Sequence, residues 1–337
     1  MTTADARWMG AALALSERGK GLTAPNPNVG CVIVRGHRVV GRGWTQPNGR
    51  PHAEAMALAE AGAASGGATC YVSLEPCAHE SPRGPACSDL LIAAGVARVV
   101  IALHDPDPRT DGDGISRLRA AGIEVVTDVR DGDARRAMAG FLTRQALGRP
   151  QVTLKLAMSL DGAVAMGDGA SKWITGVEAR AHAHLERARH EAILVGRGTL
   201  DADSPTLDVR LAGLESRSPR RLVLSGGNAP DGWEILRNPG EIGGLKGVDH
   251  LLVEGGARTA AAFLKDDLVD RLLLYRTPIL VGNGRTLPDI GLADLADAHG
   301  LWTLQDARRL GSDRVEVYER AKGPVSSGKV GTGFPPG

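Results

Sequence analysis

Pro51-His52-Ala53-Glu54, followed further along the chain by Glu75-Pro76-Cys77 and then by Cys87, contains a set of metal-binding side chains. One imidazole and two thiolates suit Zn²⁺ with the fourth tetrahedral position left open, which is typical of a catalytic site. We predict that both ligand sets follow strands and lie at helix N-termini, where the positive end of the helix favours thiolate over thiol. Strands that alternate with helices are the pattern of an α/β fold.

Glu54 is the candidate proton carrier of this site. Zinc lowers the pKa of bound water toward neutrality, so that hydroxide is available at pH 7. Attack on an amino-substituted ring carbon also needs a proton carrier that is not a ligand, and Glu54 follows His52 closely enough for that role. The order His-x-Glu, then Pro-Cys and a further Cys, is the signature of zinc-dependent nucleobase deaminases.

Simpler interpretations of these residues exist. A His-Ala-Glu sequence at a helix start often occurs by chance, and cysteines can be inert hydrophobic residues in a core. The catalytic interpretation is favoured because all the elements occur in order, each at a predicted strand-to-helix junction. Cys31 and Cys70 lie within predicted strands, and we expect both to be buried without a functional role.

Length and composition restrict the class of protein. A chain of 337 residues with 42% hydrophobic and 23% charged residues predicts two soluble domains. A formal charge of +1, with only 3 Phe, 3 Tyr and 5 Trp, argues against a nucleic-acid partner. Four cysteines suit a reducing compartment, and no apolar run approaches the roughly 20 residues that span a bilayer. We therefore predict a cytoplasmic protein with no nucleic-acid or membrane partner.

The first half alternates strands with helices, which predicts a three-layer α/β domain. Pro25-Asn26-Pro27-Asn28 forces an irregular loop, and Gly36 separates two β-branched runs into a hairpin. The predicted strands span 29–34, 38–43, 68–74, 98–103 and 123–127. The predicted helices span 6–18, 52–64, 87–94, 115–121 and 133–147.

The second half repeats the alternation after a boundary at Gly148-Arg149-Pro150, because proline ends the preceding helix. We predict domains at 1–148 and 149–322, and a disordered tail at 323–337 that has little to bury. Residues 226–247 show no clear period and are predicted as loop. The predicted strands span 152–158, 192–196, 221–224, 250–253 and 268–275, and the predicted helices 176–189 and 258–265.

The first half resembles the deaminase half of the bifunctional deaminase–reductase of riboflavin biosynthesis. The resemblance rests on Pro25-Asn26-Pro27-Asn28-Val29-Gly30, His52-Ala53-Glu54 and the stretch from Glu75 to Cys87. It implies a cytidine-deaminase-like three-layer α/β/α domain. Its substrate would be a small phosphorylated molecule, a diaminopyrimidine that carries a phosphoribosylamino group, and hydrolytic deamination would give the corresponding uracil.

The same resemblance implies substrate contacts from Asn26 and His79, and a phosphate contact from Arg83. A guanidinium is a good bidentate phosphate ligand, although a solvated loop arginine is the alternative interpretation of Arg83. The chain departs from the family pattern in three places. The loop between Cys77 and Cys87 is one residue longer than the commonest form, Thr45 replaces a frequent histidine, and Asp107 replaces an amide.

The second half is similar to the reductase half of the same family. The matching stretches are Lys155 to Gly162, Ser171-Lys172-Trp173-Ile174-Thr175, Gly196-Arg197-Gly198-Thr199-Leu200 and Leu252 to Gly256. This similarity implies a dihydrofolate-reductase-like α/β domain that uses NADPH. A hydride would reduce C1 of the ribosyl group and open the sugar to a ribityl chain.

The reductase resemblance also implies roles for individual residues. Lys155 and Glu254 would flank the ribose as catalytic residues. The substrate would be held by Ser171, Arg187, Leu207 and Arg210. The cofactor would be bound by Ala157, Trp173, Thr199, Asp203, Ser225, Gly256, Ala257, Arg258 and Thr259.

The residues alone support a cofactor site in the second half less strongly than the resemblance does. No Gly-x-Gly-x-x-Gly follows the first strand of the second half, which disfavours a Rossmann site. Val253-Glu254-Gly255-Gly256 instead leads from a strand into glycines and a helix, where backbone N–H groups can approach a phosphate closely. A glycine-rich turn with a purely structural role is the alternative.

Two other functions stay open at this point. A nucleic-acid-editing deaminase is disfavoured by the long loop between the cysteines and by the charge and aromatic content. A second half that only binds a ligand or drives dimerisation is suggested by the shortness of 226–247 relative to the family. We expect a homo-oligomer, either a dimer or a tetramer.

Overall fold

Two β-sheets, one in each half of the chain, organise the described residues. The computed structural model describes residues 2–79, 83–171 and 174–321. Trp173 and the predicted tail at 323–337 lie outside these residues. Within them, no helix is both long and apolar enough to cross a membrane.

The first sheet has five strands in the order β2-β1-β3-β4-β5, with β1 antiparallel to both of its neighbours and the rest parallel. Its strands are β1 (Gly30–Arg35), β2 (Arg38–Trp44), β3 (Thr69–Val72), β4 (Arg98–Ile101) and β5 (Glu124–Val126). Its helices are α1 (Thr3–Ser16), α2 (Ala53–Ala61), α3 (Cys87–Ala93), α4 (Asp113–Ala120), α5 (Asp131–Ala137) and α6 (Ala139–Leu147).

Two glycines show that helices cover both faces of this sheet. A Cβ on Gly30 would lie 1.9 Å from Ala12 O in α1, and a Cβ on Gly43 would lie 2.1 Å from Ala53 O in α2. Gly43 pairs with Cys31, the neighbour of Gly30, so the two glycines point to opposite faces. Helices α1 and α2 therefore lie on opposite sides, and the predicted three-layer domain is confirmed.

The second sheet has eight strands in the order β12-β13-β11-β6-β10-β7-β8-β9. Strands β6 to β11 are parallel, and β13 and β12 continue the sheet antiparallel. The strands are β6 (Gln151–Met158), β7 (Ala192–Gly196), β8 (Arg220–Leu224), β9 (Trp233–Leu236), β10 (His250–Val253), β11 (Arg271–Arg276), β12 (Trp302–Leu310) and β13 (Asp313–Arg320). The helices are α7 (Val177–Arg187), α8 (Arg197–Asp203) and α9 (Ala257–Lys265).

The prediction that residues 226–247 form only loop is wrong. The segment contains β9 and a 3-10 helix at Pro239–Gly244. β9 is a short edge strand whose Trp233 and Ile235 pack on the same cluster as Val223. The four residues of β9, between Gly232 and Pro239, are too few to show an alternating hydrophobic pattern. Pairing with β8 therefore determines the conformation of β9.

Two further differences concern element boundaries. The single helix predicted at 133–147 is interrupted at Met138, which is buried in the core of the first half, so that α5 and α6 are separate. The hairpin of β12 and β13 was not predicted because β12 is largely exposed and lacks alternating hydrophobic residues. Gly311, which has a φ of +64°, makes the turn between them.

Candidate active sites

The three predicted metal ligands come together in the first half. His52 is the N-cap of α2 and Cys87 is the first residue of α3, as predicted. Cys77 lies in the loop between β3 and α3, between the predicted strand at 68–74 and the predicted helix at 87–94. Its Sγ nevertheless accepts a hydrogen bond from the Cys87 N–H, at 3.3 Å, at the N-terminus of α3.

The arrangement of these donors fits zinc. His52 Nδ1 lies 3.3 Å from Cys87 Sγ and 3.7 Å from Cys77 Sγ, and all three donor atoms lie within 4.8 Å of one another. Zn–N and Zn–S bonds of about 2.0 and 2.3 Å at tetrahedral angles require N···S separations of about 3.5 Å. His52 Nε2 faces the Asn26 side chain at 3.4 Å, which leaves Nδ1 as the ligand atom.

Glu54 lies beside this cluster in the first turn of α2 and is 3% exposed. Burial raises the pKa of its carboxyl group, although His52 acts in the opposite direction. The helix start that presents His52 to the metal therefore also places an acid next to it. Cys31 and Cys70 are fully buried, as predicted, with their sulfurs 3.4 Å apart across β1 and β3.

A cavity of about 310 Å³ opens beside the metal ligands. His52, Cys87 and Arg83 line it, and so does Arg50, which the sequence analysis did not identify. Arg83 Nη2 donates to Asn48 O at 2.6 Å, which ties the loop between the cysteines to the turn that precedes α2.

Glu75 supports the loop that faces His79. Its buried carboxylate accepts hydrogen bonds from the backbone N–H groups of Asp105, Gly112 and Ile115, at 3.1–3.3 Å. Thr110, in the same loop, approaches His79 Nδ1 at 3.4 Å. Glu75 is therefore a positioning residue that the Glu-Pro-Cys motif contained but that the sequence alone did not explain.

The structure also explains two departures from the family pattern. Thr45 is buried, and its hydroxyl accepts a hydrogen bond from Val29 N–H at 3.0 Å, so the side chain braces the strand behind the site. Asp107 forms an ion pair with Arg109, which holds the pKa of the Asp107 carboxyl below its usual range.

The centre of the second half is a buried carboxylate between two cations. Glu254, directly after β10, accepts hydrogen bonds from Arg187 Nε and Nη2 at 2.8 and 2.9 Å. Lys155 Nζ, from the adjacent strand β6, lies 3.9 Å from Glu254 Oε2. Burial alone would raise the pKa of Glu254, but Lys155 and Arg187 outweigh it and lower the pKa to about 2. The carboxylate is therefore ionised.

The other predicted substrate residues differ in exposure. Leu207 is buried and has a φ of +54°, an uncommon backbone conformation for leucine. The neighbouring Asp208 O accepts hydrogen bonds from Arg187 and His184, at 3.0 Å each, which fixes this loop against α7. His184 was not predicted. Arg210 and Ser171 are exposed, and Ser171 is the last residue of the described range 83–171.

The predicted cofactor residues gather at the carboxyl ends of β7, β8 and β10. Gly256 is the N-cap of α9, and its N–H donates to Thr199 Oγ1 in α8 at 3.2 Å. A Cβ on Gly255 would lie 2.6 Å from Thr259 Cβ, so this turn needs glycine. The open backbone at the start of α9 fits a phosphate-bearing cofactor.

The remaining cofactor candidates surround this turn with different orientations. Ser225 follows β8 and is buried, and Ala157 lies near the end of β6. Thr259 is buried and directs its side chain toward Gly196 and Gly255. The other candidates with described positions are Ala257 and Arg258 in the first turn of α9 and Asp203 at the end of α8.

Comparison with known proteins matches a family model to each half of the chain. The family model for the cytidine and deoxycytidylate deaminase zinc-binding region matches residues 2–103. The model for the RibD C-terminal domain matches 150–238 and 244–315. The riboflavin biosynthesis protein RibD of Aquifex aeolicus is 37% identical over 94% of this chain and 98% of its own.

Two solved structures share the whole architecture. RibD of Acinetobacter baumannii has a TM-score of 0.81 at 34% identity, over 94% of this chain and 98% of its own. A diaminohydroxyphosphoribosylaminopyrimidine deaminase/5-amino-6-(5-phosphoribosylamino)uracil reductase of Thermotoga maritima has a TM-score of 0.84 at 30% identity, with the same coverage.

Proposed function

This chain belongs to the RibD family of bifunctional deaminase–reductases of riboflavin biosynthesis, and we propose which residues and which substrate serve its two reactions. It uses zinc in the first half and NADPH in the second. Residues 1–148 form the deaminase and residues 149–322 the reductase. The substrate of the deaminase is a diaminopyrimidine that carries a phosphoribosylamino group, the molecule named for the Thermotoga maritima relative.

His52, Cys77 and Cys87 hold the zinc ion, and Glu54 moves the proton. When bound, zinc lowers the pKa of a water molecule toward neutrality. Glu54 takes a proton from the attacking water and delivers it to the departing amino group. A carbon–oxygen bond forms, the carbon–nitrogen bond breaks, and ammonia leaves. Asn26 and His79 orient the pyrimidine, and Arg83 contacts its phosphate.

Glu254, Arg187 and Lys155 position the ribosyl group for reduction. When bound, NADPH would supply the hydride that reduces C1 of the sugar. The bond between C1 and the ring oxygen breaks, and Lys155 is placed to give that oxygen a proton. The ionised Glu254 holds Lys155 and Arg187 in place, and Ser171, Leu207 and Arg210 complete the substrate site.

Residues at the ends of β7, β8 and β10 would hold the cofactor. The backbone at Gly256, Ala257, Arg258 and Thr259 would bind its phosphates. The remaining contacts would come from Ala157, Trp173, Thr199, Asp203 and Ser225.

The four cysteines form no disulfide, which suits the cytoplasm, and we propose that the protein is located there. We also propose that it assembles as a homo-oligomer, either a dimer or a tetramer.

The observation that carries this proposal is the donor triangle of His52, Cys77 and Cys87 with the buried Glu54 beside it. The test is to supply the purified chain with the phosphorylated diaminopyrimidine and to measure ammonia release, then NADPH oxidation. Both signals in sequence support the proposal. Ammonia release without NADPH oxidation would contradict the reductase assignment, and NADPH oxidation alone would contradict the deaminase assignment.

A further inference from the structure

A second arginine faces the deaminase site. Arg50 lies two residues before the metal ligand His52 and lines the same cavity as His52, Cys87 and Arg83. Arg50 is half-buried, whereas Arg83 is exposed. The cavity therefore has metal ligands in one wall and two guanidinium groups around it.

The Arg50 side chain is seated against backbone. A Cβ on Gly84 would lie 3.0 Å from Arg50 Nη1, and Gly84 has a φ of +144°, a conformation that favours glycine. The glycine after Arg83 thus leaves the space in which the Arg50 guanidinium lies. Both arginines consequently meet the same short segment of the loop between the cysteines.

The two guanidinium groups differ in their partners. Arg83 donates to Asn48 O at 2.6 Å and so uses part of its donor set to connect two loops. Among residues 2–79, 83–171 and 174–321, Arg50 has no carboxylate partner within ion-pair distance. A half-buried guanidinium that has no counterion among the described residues, in a cavity beside the metal ligands, points to an anionic ligand.

Charge balance indicates the same ligand. Two thiolates would cancel the two positive charges of a zinc ion held by His52, Cys77 and Cys87, so the metal centre would have no net positive charge to attract an anion. A phosphate monoester carries a charge of about −1.5 to −2 at pH 7. The attraction for such a group must therefore come from the arginines of the cavity.

We propose that Arg50 binds the phosphate of the deaminase substrate together with Arg83, and so makes the site specific for the phosphorylated form. This inference rests on the proposed deaminase function. It assigns Arg50 to substrate binding and not to the chemical step. Loss of Arg50 should therefore weaken binding of the phosphorylated substrate without slowing its conversion.

The test compares Arg50→Gln with the wild-type protein on the phosphorylated diaminopyrimidine and on the same molecule without phosphate. We expect KM for the phosphorylated substrate to rise at least about tenfold, with kcat within about twofold, because charged hydrogen bonds are lost. KM for the dephosphorylated molecule should not change. Arg50→Lys, which keeps the charge but not the planar fork, should give an intermediate value.

The matched control is Arg38→Gln, which removes an exposed arginine from β2 outside the cavity. Equal losses on both substrates would overturn the proposal, and so would no change on either. Calorimetric titration with ribose 5-phosphate separates this inference from the proposed reaction, because it needs no turnover. The wild type should bind ribose 5-phosphate once in each half. Loss of one of the two binding events in Arg50→Gln supports the phosphate site even if no ammonia is released, and the same two events in both proteins overturn it.

Discussion

At the scale of single residues, the deaminase site depends on one carboxyl group that is not a ligand. Glu54 is buried against the metal cluster by the same helix start that presents His52. Burial shields this carboxyl group from bulk solvent. The proposed mechanism assigns the proton transfer of the first reaction to this residue.

Glu54→Gln should lower kcat for ammonia release by about 10²–10⁴-fold, because an amide cannot carry the proton. Zinc content, measured by metal analysis, should stay at the wild-type level, since Glu54 is not among the three donors. Glu60→Gln, on the exposed part of the same helix, is the control and should keep full activity. Full ammonia release by Glu54→Gln would remove this residue from the mechanism.

The Glu254 carboxylate leads to a prediction about the pH dependence of reductase activity. Because Lys155 and Arg187 hold the pKa of Glu254 at about 2, this group stays ionised at all higher pH values. Reductase activity should therefore show no loss from Glu254 protonation between about pH 5 and pH 8. Glu254→Gln should lower kcat by about 10²-fold or more across that whole range, measured by NADPH absorbance.

The matched control for Glu254 is Glu215→Gln, which changes an exposed acid in the same half of the chain. A wild-type activity that falls with an apparent pKa near 5, and a Glu254→Gln variant without this fall, would contradict an always ionised carboxylate.

Sequence reasoning reached the zinc ligands and Glu54 because they occur in short motifs, at helix starts for His52, Glu54 and Cys87 and in the preceding loop for Cys77. It did not reach Arg50, His184 or the role of Glu75, since these side chains act through loops that meet only in the folded chain. Arg50 carried one available signal, its position directly before Pro51-His52.

At the scale of elements, α1 illustrates how a local sequence signal joins tertiary structure. Thr2 and Asp5 form a capping box, in which each side chain accepts a hydrogen bond from the other residue's backbone N–H. Asp5 also accepts hydrogen bonds from Arg98 in β4, at 2.7 and 3.2 Å. The same acid therefore starts the helix and attaches it to the sheet.

Asp5→Asn should destabilise the first half by about 2 kcal/mol, because a charged hydrogen-bonded pair is lost. Arg98 holds the pKa of the Asp5 carboxyl well below its usual range. The stability it contributes is therefore present at neutral pH and is lost as pH falls below about 4. Urea unfolding of the wild type and of Asp5→Asn, at neutral pH and below about pH 4, measures this loss. If the free energy of unfolding falls by the same amount at low pH in both proteins, the prediction is contradicted.

The elements that sequence reasoning missed share a physical cause. β9 has four residues and β12 is mostly exposed, so neither shows the alternation of a half-buried strand. Both take their conformation from a neighbouring strand of the sheet. The break between α5 and α6 has a similar origin, because it buries Met138 and lets Gly140 pack against His250 of the second half.

At the scale of the whole molecule, Arg144 connects the two halves. It donates hydrogen bonds from α6 to the backbone carbonyls of Gly243, Leu245 and Val248. These carbonyls lie in and after the segment that was predicted to be loop. The boundary near Gly148 was predicted from the neighbouring glycine and proline residues. The Arg144 contact joins residues about a hundred positions apart, so no local sequence pattern predicts it.

Arg144→Met should lower the Tm, because three carbonyls at the interface lose their donor, at a cost of about 1–3 kcal/mol. In calorimetry, we expect Arg144→Met to show two unfolding transitions, one for each half. The wild type should show transitions that lie closer together in temperature. Arg119→Met, in an exposed position of α4, is the control and should not change the profile. An unchanged profile for Arg144→Met would show that other contacts hold the halves together.

The proposed deaminase reaction requires that His52, Cys77 and Cys87 hold zinc with one position left for water. X-ray absorption at the zinc edge of the purified chain measures this ligand set. We expect two sulfur ligands at about 2.3 Å and two nitrogen or oxygen ligands at about 2.0–2.1 Å. A shell of four sulfurs, or one without sulfur, would contradict it.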